Sequence, residues 1–486
     1  MTNKNFIWAV LLFLTPTLAL AQEQLGLRME RYAGVNSLMH NPANNLVSPL
    51  KWDVNLVELG VFVDNNYAFI YNANLQDLIR NGENLEFAPD LENINQAGEN
   101  ALVLDFFQDT RSRFASVLGT VMGPSFMVNL ESGHSFGLFV RGRAEVGLRG
   151  VPNSLSYYAF EQVLEGEEFR LDRFKGAGMT WTEIGVNYAR EFFTDQGIFG
   201  IGANLKLLNG YEAFYVDNKS DFLIARFPGD SIAVSDLELS YGFTTSSADT
   251  ESVNPQRNGR GVGIDIGAIW TIEDGPDDYR LKFGVSILDL GRITFNRNLQ
   301  NHDIEVSGSD GFDADDFSSV SNATDATELL SELLLDDPLE STNSRNFGIW
   351  LPTALSVQAD AKIAPLVYAN ATWVQSIPMP GPAVARNNLL AVSPRFEHRW
   401  FSLALPVALH NWQDFRVGTS VRLAFLTLGS DNLGSLVGRG SNFTGTDFYL
   451  ALKVNPFQMN FGGGKKGSKS GGRGRGKGKN VRCYEF

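Results

Sequence analysis

The chain has 486 residues, with 48 glycines against 18 prolines, 12 % aromatic residues and one cysteine, Cys483. That composition excludes a disulfide-stapled module and is unusual for a soluble enzyme, while suiting twisted strands and tight turns. The formal charge of −15 is uneven: the 25 residues from Gly462 carry eight cations and one acid, a net +7, so the remainder carries −22.

The first residues, MTNKNFIWAVLLFLTPTLALAQEQ, place Lys4 before an apolar run and Ala19-Leu20-Ala21 before Gln22. This is the layout of a cleaved secretory signal peptide over 1–21. No later run of 18 apolar residues occurs, which speaks against an α-helical crossing and leaves a closed β-barrel as the spanning form.

Residues 22–51 are expected to precede the barrel, and 52–461 to form it. Strand-like alternation begins at Trp52 to Val63. It is clearest in SFGLFVRGRAEVGLRG, Ser135 to Gly150, where Phe136, Leu138, Val140, Ala144, Val146 and Leu148 alternate with Arg141, Arg143, Glu145 and Arg149. Glu131-Ser132-Gly133-His134 supplies a turn back to the alternating Phe126, Val128 and Leu130. The same pattern recurs around Ile184, Ile201, Ile264 and Phe283, near Leu355, Leu366, Leu390 and Leu403, over Phe415 to Phe425, and at Phe448 to Val454. A membrane strand needs roughly 9–11 residues. The expected fold is all-β, a transmembrane antiparallel barrel of roughly 14 strands, an even number being usual. Trp52, Trp181, Trp270, Trp350, Trp373, Trp400 and Trp412 fall near strand ends, as an interfacial girdle requires.

Leu75 to Asp109 and Tyr215 to Arg260 read as long, irregular connections. Asp303 to Glu340 holds twelve acids and no Lys or Arg, with a short helix in ATDATELLSELLLDD capped near Thr324 and Asp325. Within it Asp310, Asp313, Asp315 and Asp316 are a weak Ca²⁺ candidate, lacking the glycine and closing glutamate of an EF-hand loop. The tail 462–486 is low-complexity and expected to be disordered, with Lys465, Lys466, Lys469, Arg473, Arg475, Lys477, Lys479 and Arg482 available to an anionic envelope polymer or an acidic protein.

Catalysis has little support in the sequence. His40, His134, His302, His398 and His410 fall in no HExxH or ligand-spaced pair, and no GxSxG occurs. The exception left open is a barrel hydrolase using His398 or His410 with a nearby serine. No enzyme activity, cofactor, metal or nucleic-acid partner is expected.

If the apolar faces meet lipid, then Arg141, Arg143, Glu145, Arg149, Arg416 and Arg422 face the lumen. Such charges either brace the wall in a neutralising network or line a selective path.

RYAGVNSLMHNPANNLVSPLKWDVNLVELGVFVDNNY (Arg31 to Tyr67), FGIWLPTALSVQADAKI (Phe347 to Ile363) and the stretch from Arg416 to Val454 resemble an uncharacterised Bacteroidota outer-membrane β-barrel family, itself distantly similar to long-chain fatty-acid transporter barrels. Asn41-Pro42-Ala43 is like the NPA signature of those transporters. The resemblance implies an N-terminal plug-like segment, and it implies no substrate. The charged inward face departs from a fatty-acid tunnel. The expectation is an integral outer-membrane protein with both termini periplasmic, in contact with membrane lipid. Two roles stay open: a channel or transporter for small or amphipathic solutes, or an envelope scaffold or secretion-system interaction protein using the acidic loop 303–340 and the basic tail.

Overall fold

The computed structural model describes residues 23–455 except 92, 159–165, 196, 228–230, 249–254, 274–277, 309–311, 314, 315, 321 and 439–441. Residues 1–21, expected to be a signal peptide, the tail 462–486 with its eight cations and Cys483, and Asp310 and Asp315 lie outside the described residues.

Fourteen antiparallel strands close into a barrel. They are β1 (Trp52–Asn65), β2 (Arg113–Met122 and Ser125–Asn129, broken at Gly123-Pro124), β3 (His134–Val151), β4 (Lys175–Thr194), β5 (Gly197–Asn218), β6 (Gly259–Glu273) and β7 (Tyr279–Phe295). The circuit continues with β8 (Phe347–Trp350 and Ala354–Ala364), β9 (Val367–Ser376), β10 (Leu389–His398) and β11 (Phe401–Ala404 and Val407–His410). It ends with β12 (Asp414–Val417 and Thr419–Leu423), β13 (Leu426–Ser430) and β14 (Gly445–Val454). Each strand pairs with the next, and β14 returns to β1 in a register running from Val54↔Val454 to Asp64↔Gly445, so no sheet edge remains.

Period-two alternation decides which side chains meet which environment. Along β3, Phe136, Val140 and Ala144 are exposed while Phe139, Arg141, Arg143 and Glu145 are buried. Leu205, Leu207, Val262, Ile266, Val285, Val392 and Leu423 continue the exposed apolar face around the wall. A continuous apolar surface of this kind belongs against hydrocarbon, since soluble monomers do not carry one.

The wall is uneven in height. β4 and β5 have 20 and 22 residues, about twice what a bilayer requires. The tight turns, such as those at Gly133, Leu366 and Ala424, share one rim with Trp52 and Val454, the ends of the described wall. The long connections share the other rim. They are more ordered than their sequences suggest: Ala68–Ile70, Leu85–Phe87 and Leu102–Phe106 form one small sheet, and Glu168–Leu171, Phe222–Arg226 and Ile232–Ser235 another. The second sheet packs Leu171, Ile224 and Val234 against Ile304, Val306 and Leu334.

Three local expectations are corrected. The acidic-segment helix runs Ala323–Leu335, and its cap is Asn322, whose Oδ1 accepts from the Asp325 backbone N–H. The run expected over Phe415 to Phe425 is β12, interrupted at Gly418, and it stops at Leu423, because the chain turns at Ala424, which has φ 52°. Trp181 leaves the interfacial girdle: it is 1 % exposed, points inward, and donates from Nε1 to Glu183 at 2.8 Å.

Candidate functional site: the plugged lumen

The lumen is occupied by the chain's own N-terminal segment. Glu23 to Leu50 folds as a short helix, Leu25–Arg28, and two 3-10 stretches, Arg31–Met39 and Asn44–Val47, nearly all of it buried inside the wall. Elements this short do not persist alone in water. Contact with the barrel holds them.

The Asn41-Pro42-Ala43 element shows how. Asn41 Oδ1 accepts from the Ala43 N–H at 3.0 Å, closing a local turn. Its Nδ2 donates to the carbonyls of Ala268 and Val285 at 3.2 and 3.3 Å, and the Pro42 carbonyl accepts from Asn187 Nδ2 at 3.0 Å. The wall is notched to admit this turn. A Cβ on Gly202 would stand 2.6 Å from the Pro42 carbonyl oxygen, and one on Gly267 would stand 2.2 Å from Asn41 Oδ1. Glycine is needed at both positions for the close approach.

Charged contacts ring the plug. Arg28 pairs with Glu58 at 3.0 Å, Glu23 with Arg386 at 2.8 Å, Glu30 with Arg422 at 2.9 Å and Arg31 with Asp278 at 3.3 Å. Backbone groups join in: the N–H of Leu25 donates to Asp431 and that of Val35 to Asp53, both at 3.0 Å. Lys453 donates to the Tyr32 carbonyl at 3.0 Å and also to the Ala33 carbonyl. Apolar contacts accompany them: Leu25 and Met29 pack with Val374, Leu389 and Ala408, and Leu27 with Tyr449 and Ala451.

Six lumen-facing residues were expected from parity, and three of them join one network. Arg141 donates to Glu183 at 2.8 Å; Arg143 donates to Glu183 at 3.0 Å, to Asp289 at 2.9 Å and to Glu145. Arg416 pairs with Asp64 on the far side, beside the ring of Phe62. Arg422 holds the plug through Glu30 and donates to the carbonyls of His398 and Arg399 at 2.9 Å. Arg149, at the end of β3, is half-buried and in no ion pair among the described residues.

The hub is a residue that alternation does not select. Leu288 and Asp289 both turn inward at a bulge in β7, with Asp289 at φ 55°. Its carboxylate accepts from Lys206 at 2.6 Å, from Arg143 at 2.9 Å and from Arg386 at 3.2 Å. Lys206 reaches Asp265 at 2.6 Å, Asp265 accepts from Asn204 at 2.8 Å, and Asn204 accepts from Asn187 Nδ2 at 2.8 Å while donating to the Leu38 carbonyl of the plug at 3.0 Å. A continuous polar chain therefore links the wall arginines to the turn at Pro42. The only signal for it in the sequence is the lapse of alternation at Leu288-Asp289-Leu290.

His398 is exposed, and His410 is 3 % exposed, stacked on Phe62 at 5.6 Å, with neither ring nitrogen hydrogen-bonded among the described residues. The serine–histidine contact in the lumen lies elsewhere. His40 Nε2 is 3.0 Å from Ser356 Oγ, and its Nδ1 is 3.7 Å from Glu23. Ser356 and His40 are fully enclosed, and the His40 carbonyl accepts from Ser286 at 2.8 Å and Gln358 at 3.3 Å, so this group docks the plug. Asp313 and Asp316 meet through the Asp313 N–H, and no cluster of three acidic, His or Cys ligands occurs among the described residues.

A sequence model described as a family of unknown function (DUF5723) matches residues 42–431. No curated protein matches the chain. Among solved structures, the barrel is similar to a deltaS2S3 mutant of the monoaromatic hydrocarbon channel TodX, at TM-score 0.40 and 10 % identity over 87 % of this chain and 95 % of that one. It is similar to the Ralstonia pickettii toluene transporter TbuX at TM-score 0.38 and 8 % identity, over 87 % and 94 %. A Pseudomonas aeruginosa FadL homologue matches at TM-score 0.22 and 9 % identity, over 85 % and 92 %.

Proposed function

The chain belongs to that family of unknown function (DUF5723), and from its own lumen we propose that this outer-membrane-type barrel is a plug-gated passage for small polar or amphipathic solutes. One observation carries the reading: hydrogen bonds and ion pairs tie the plug to the wall along its length, from Glu23 to Pro42. Water and a polar solute can replace such contacts group for group, whereas extracting an apolar core exposes hydrocarbon at about 25 cal/mol per Å². The inward face favours the same solute class. A wholly apolar ligand would find little to bind in a lumen lined by the paired charges of Arg141, Arg143 and Asp289.

In this reading both termini are periplasmic and the long connections face outward, the usual arrangement for an even-stranded barrel. The basic tail then lies in the periplasm, where Lys465 to Arg482 would meet an anionic envelope polymer or an acidic protein. Solute uptake into liposomes is the test. The full chain should admit little, and a variant lacking 23–50 should admit small sugars and amino acids. If the plugless barrel folds and remains impermeable, the envelope-scaffold reading replaces this one.

A further inference from the structure

The outer face of β6, β7 and β8 carries a cluster of arginines at one edge of the apolar band, in which Arg292 donates to the Gly348 carbonyl at 3.2 Å. In the register of these strands Arg260 lies opposite Thr294, Val262 opposite Arg292, and Arg292 opposite Trp350. The side chains of Ile293, Phe295 and Ile349 point into the barrel and are buried, so the alternate residues Arg260, Arg292 and Trp350 point outward. Arg257, Gly259, Arg260, Asn296 and Arg297 line a surface cleft of about 140 Å³. The Arg292 guanidinium lies 5.9 Å from the centre of the Trp350 ring. No carboxylate among the described residues pairs with Arg257, Arg260, Arg292 or Arg297.

Position along the strand fixes the environment. Going down β6 from Arg260, the outward positions are Val262, Ile264, Ile266, Ala268 and Trp270, and Trp270 stacks on Phe283 at 5.9 Å. Ten residues at ~3.3 Å each, tilted by ~40°, span ~25 Å of membrane normal, the height of an outer-membrane hydrocarbon band. Trp270 and Phe283 thus mark one interface, and the arginines sit at the other, among lipid headgroups. An arginine at mid-band would cost about 2–4 kcal/mol; at the interface that cost falls to about 0–1. Guanidinium pairs with phosphate bidentately and is weakly hydrated, which suits a partly desolvated cleft.

We propose that the cleft of Arg257, Arg260 and Arg297, flanked by Arg292 and Trp350, binds the phosphate groups of a phosphorylated lipid in the leaflet at the rim of the long connections. With the orientation proposed above, that leaflet is the outer one and the ligand a phosphorylated glycolipid. Converging cations with no carboxylate partner among the described residues are completed by an external anion, and the hydrocarbon band directly beneath receives its acyl chains.

The test uses the full chain in detergent, titrated with diphosphorylated lipid A, the same lipid after phosphatase treatment, and inorganic phosphate, with bound lipid counted by native mass spectrometry. The diphosphorylated lipid should bind at least tenfold tighter than its dephosphorylated form. The triple variant R257Q/R260Q/R297Q should lose that preference while keeping the heat-modifiable gel migration of a folded barrel. R297Q alone, in a connection outside the wall, should weaken binding severalfold and serves if the triple variant fails to fold. Equal binding of the dephosphorylated lipid, or an unchanged affinity in either variant that folds, would overturn the site. Displacement of the lipid by an equal concentration of inorganic phosphate would make it a free-anion site and overturn the lipid assignment. Because the titration is made in detergent, it does not depend on which leaflet the cleft faces, so its failure leaves the proposed orientation and gating standing.

Discussion

Asp289 is where the lumen's electrostatics converge, and its backbone shows what the position demands. The left-handed φ of 55° is one that Asp adopts more readily than most residues, and the bulge turns its carboxylate towards Lys206, Arg143 and Arg386. Asp289→Asn keeps the shape and removes the charge, leaving three buried cations short of a partner. Breaking a buried ion pair from one side costs about 3–5 kcal/mol. The melting of the heat-modifiable folded form in detergent should fall accordingly. Arg149→Gln, half-buried and outside any ion pair, should stay within about 0.5 kcal/mol of the parent. Parity alone placed Arg141, Arg143 and Glu145 on one face of β3, since side-chain period is local. Their partners were out of reach: Glu183 is 42 residues from Arg141 and Asp289 is 146 from Arg143, brought near only by strand pairing and a bulge.

At the scale of the element, the plug depends on the wall being cut to its shape. Gly202→Val would put side-chain atoms where the Pro42 carbonyl lies, while its own strand keeps its backbone pairing to Ala189 and Gly267. The expected result is a folded barrel with a displaced plug, read by trypsin cleavage at Arg28 and Arg31, which the docked plug shields; continued resistance at both sites would count against the notch. The pair of Arg31 on the plug with Asp278, immediately before β7, responds to acid. Although burial pushes the other way, Lys362 and Arg31 hold the Asp278 carboxyl below the usual carboxylate range. Its lowered value means that its contribution is complete above the ordinary pKa of about 4 and is lost as pH falls through the folded-state value. Plug protection from an acid-active protease should therefore hold at pH 5 and weaken towards pH 3. The Asn-Pro-Ala turn was visible as a family-like signature. Its seat was not, because the glycines that form it are spread over β5 and β6 and read in sequence only as small residues in alternating strands.

For the whole molecule, strand number, turn rim and outward faces were legible because long period-two runs have one solution in a bilayer. The connections were less so. Their small sheets pair segments such as Glu168–Leu171 with Phe222–Arg226, across two wall strands, which no local pattern reports. Orientation is open to a direct check that uses the single native thiol. On intact cells an impermeant maleimide should label a Trp412→Cys variant at the rim of the long connections and leave Cys483 unlabelled until the outer membrane is opened; labelling of Cys483 on intact cells would reverse the proposed topology.

In the proposed gating a displaceable plug closes an otherwise passable polar lumen, and planar-bilayer conductance measures that closure most directly. The full chain should show no sustained current, whereas Gly202→Val and the variant lacking 23–50 should open steady ionic channels, the second larger than the first. A steady current through the intact chain equal to that of the plugless variant, or silence from a folded plugless barrel, would contradict it.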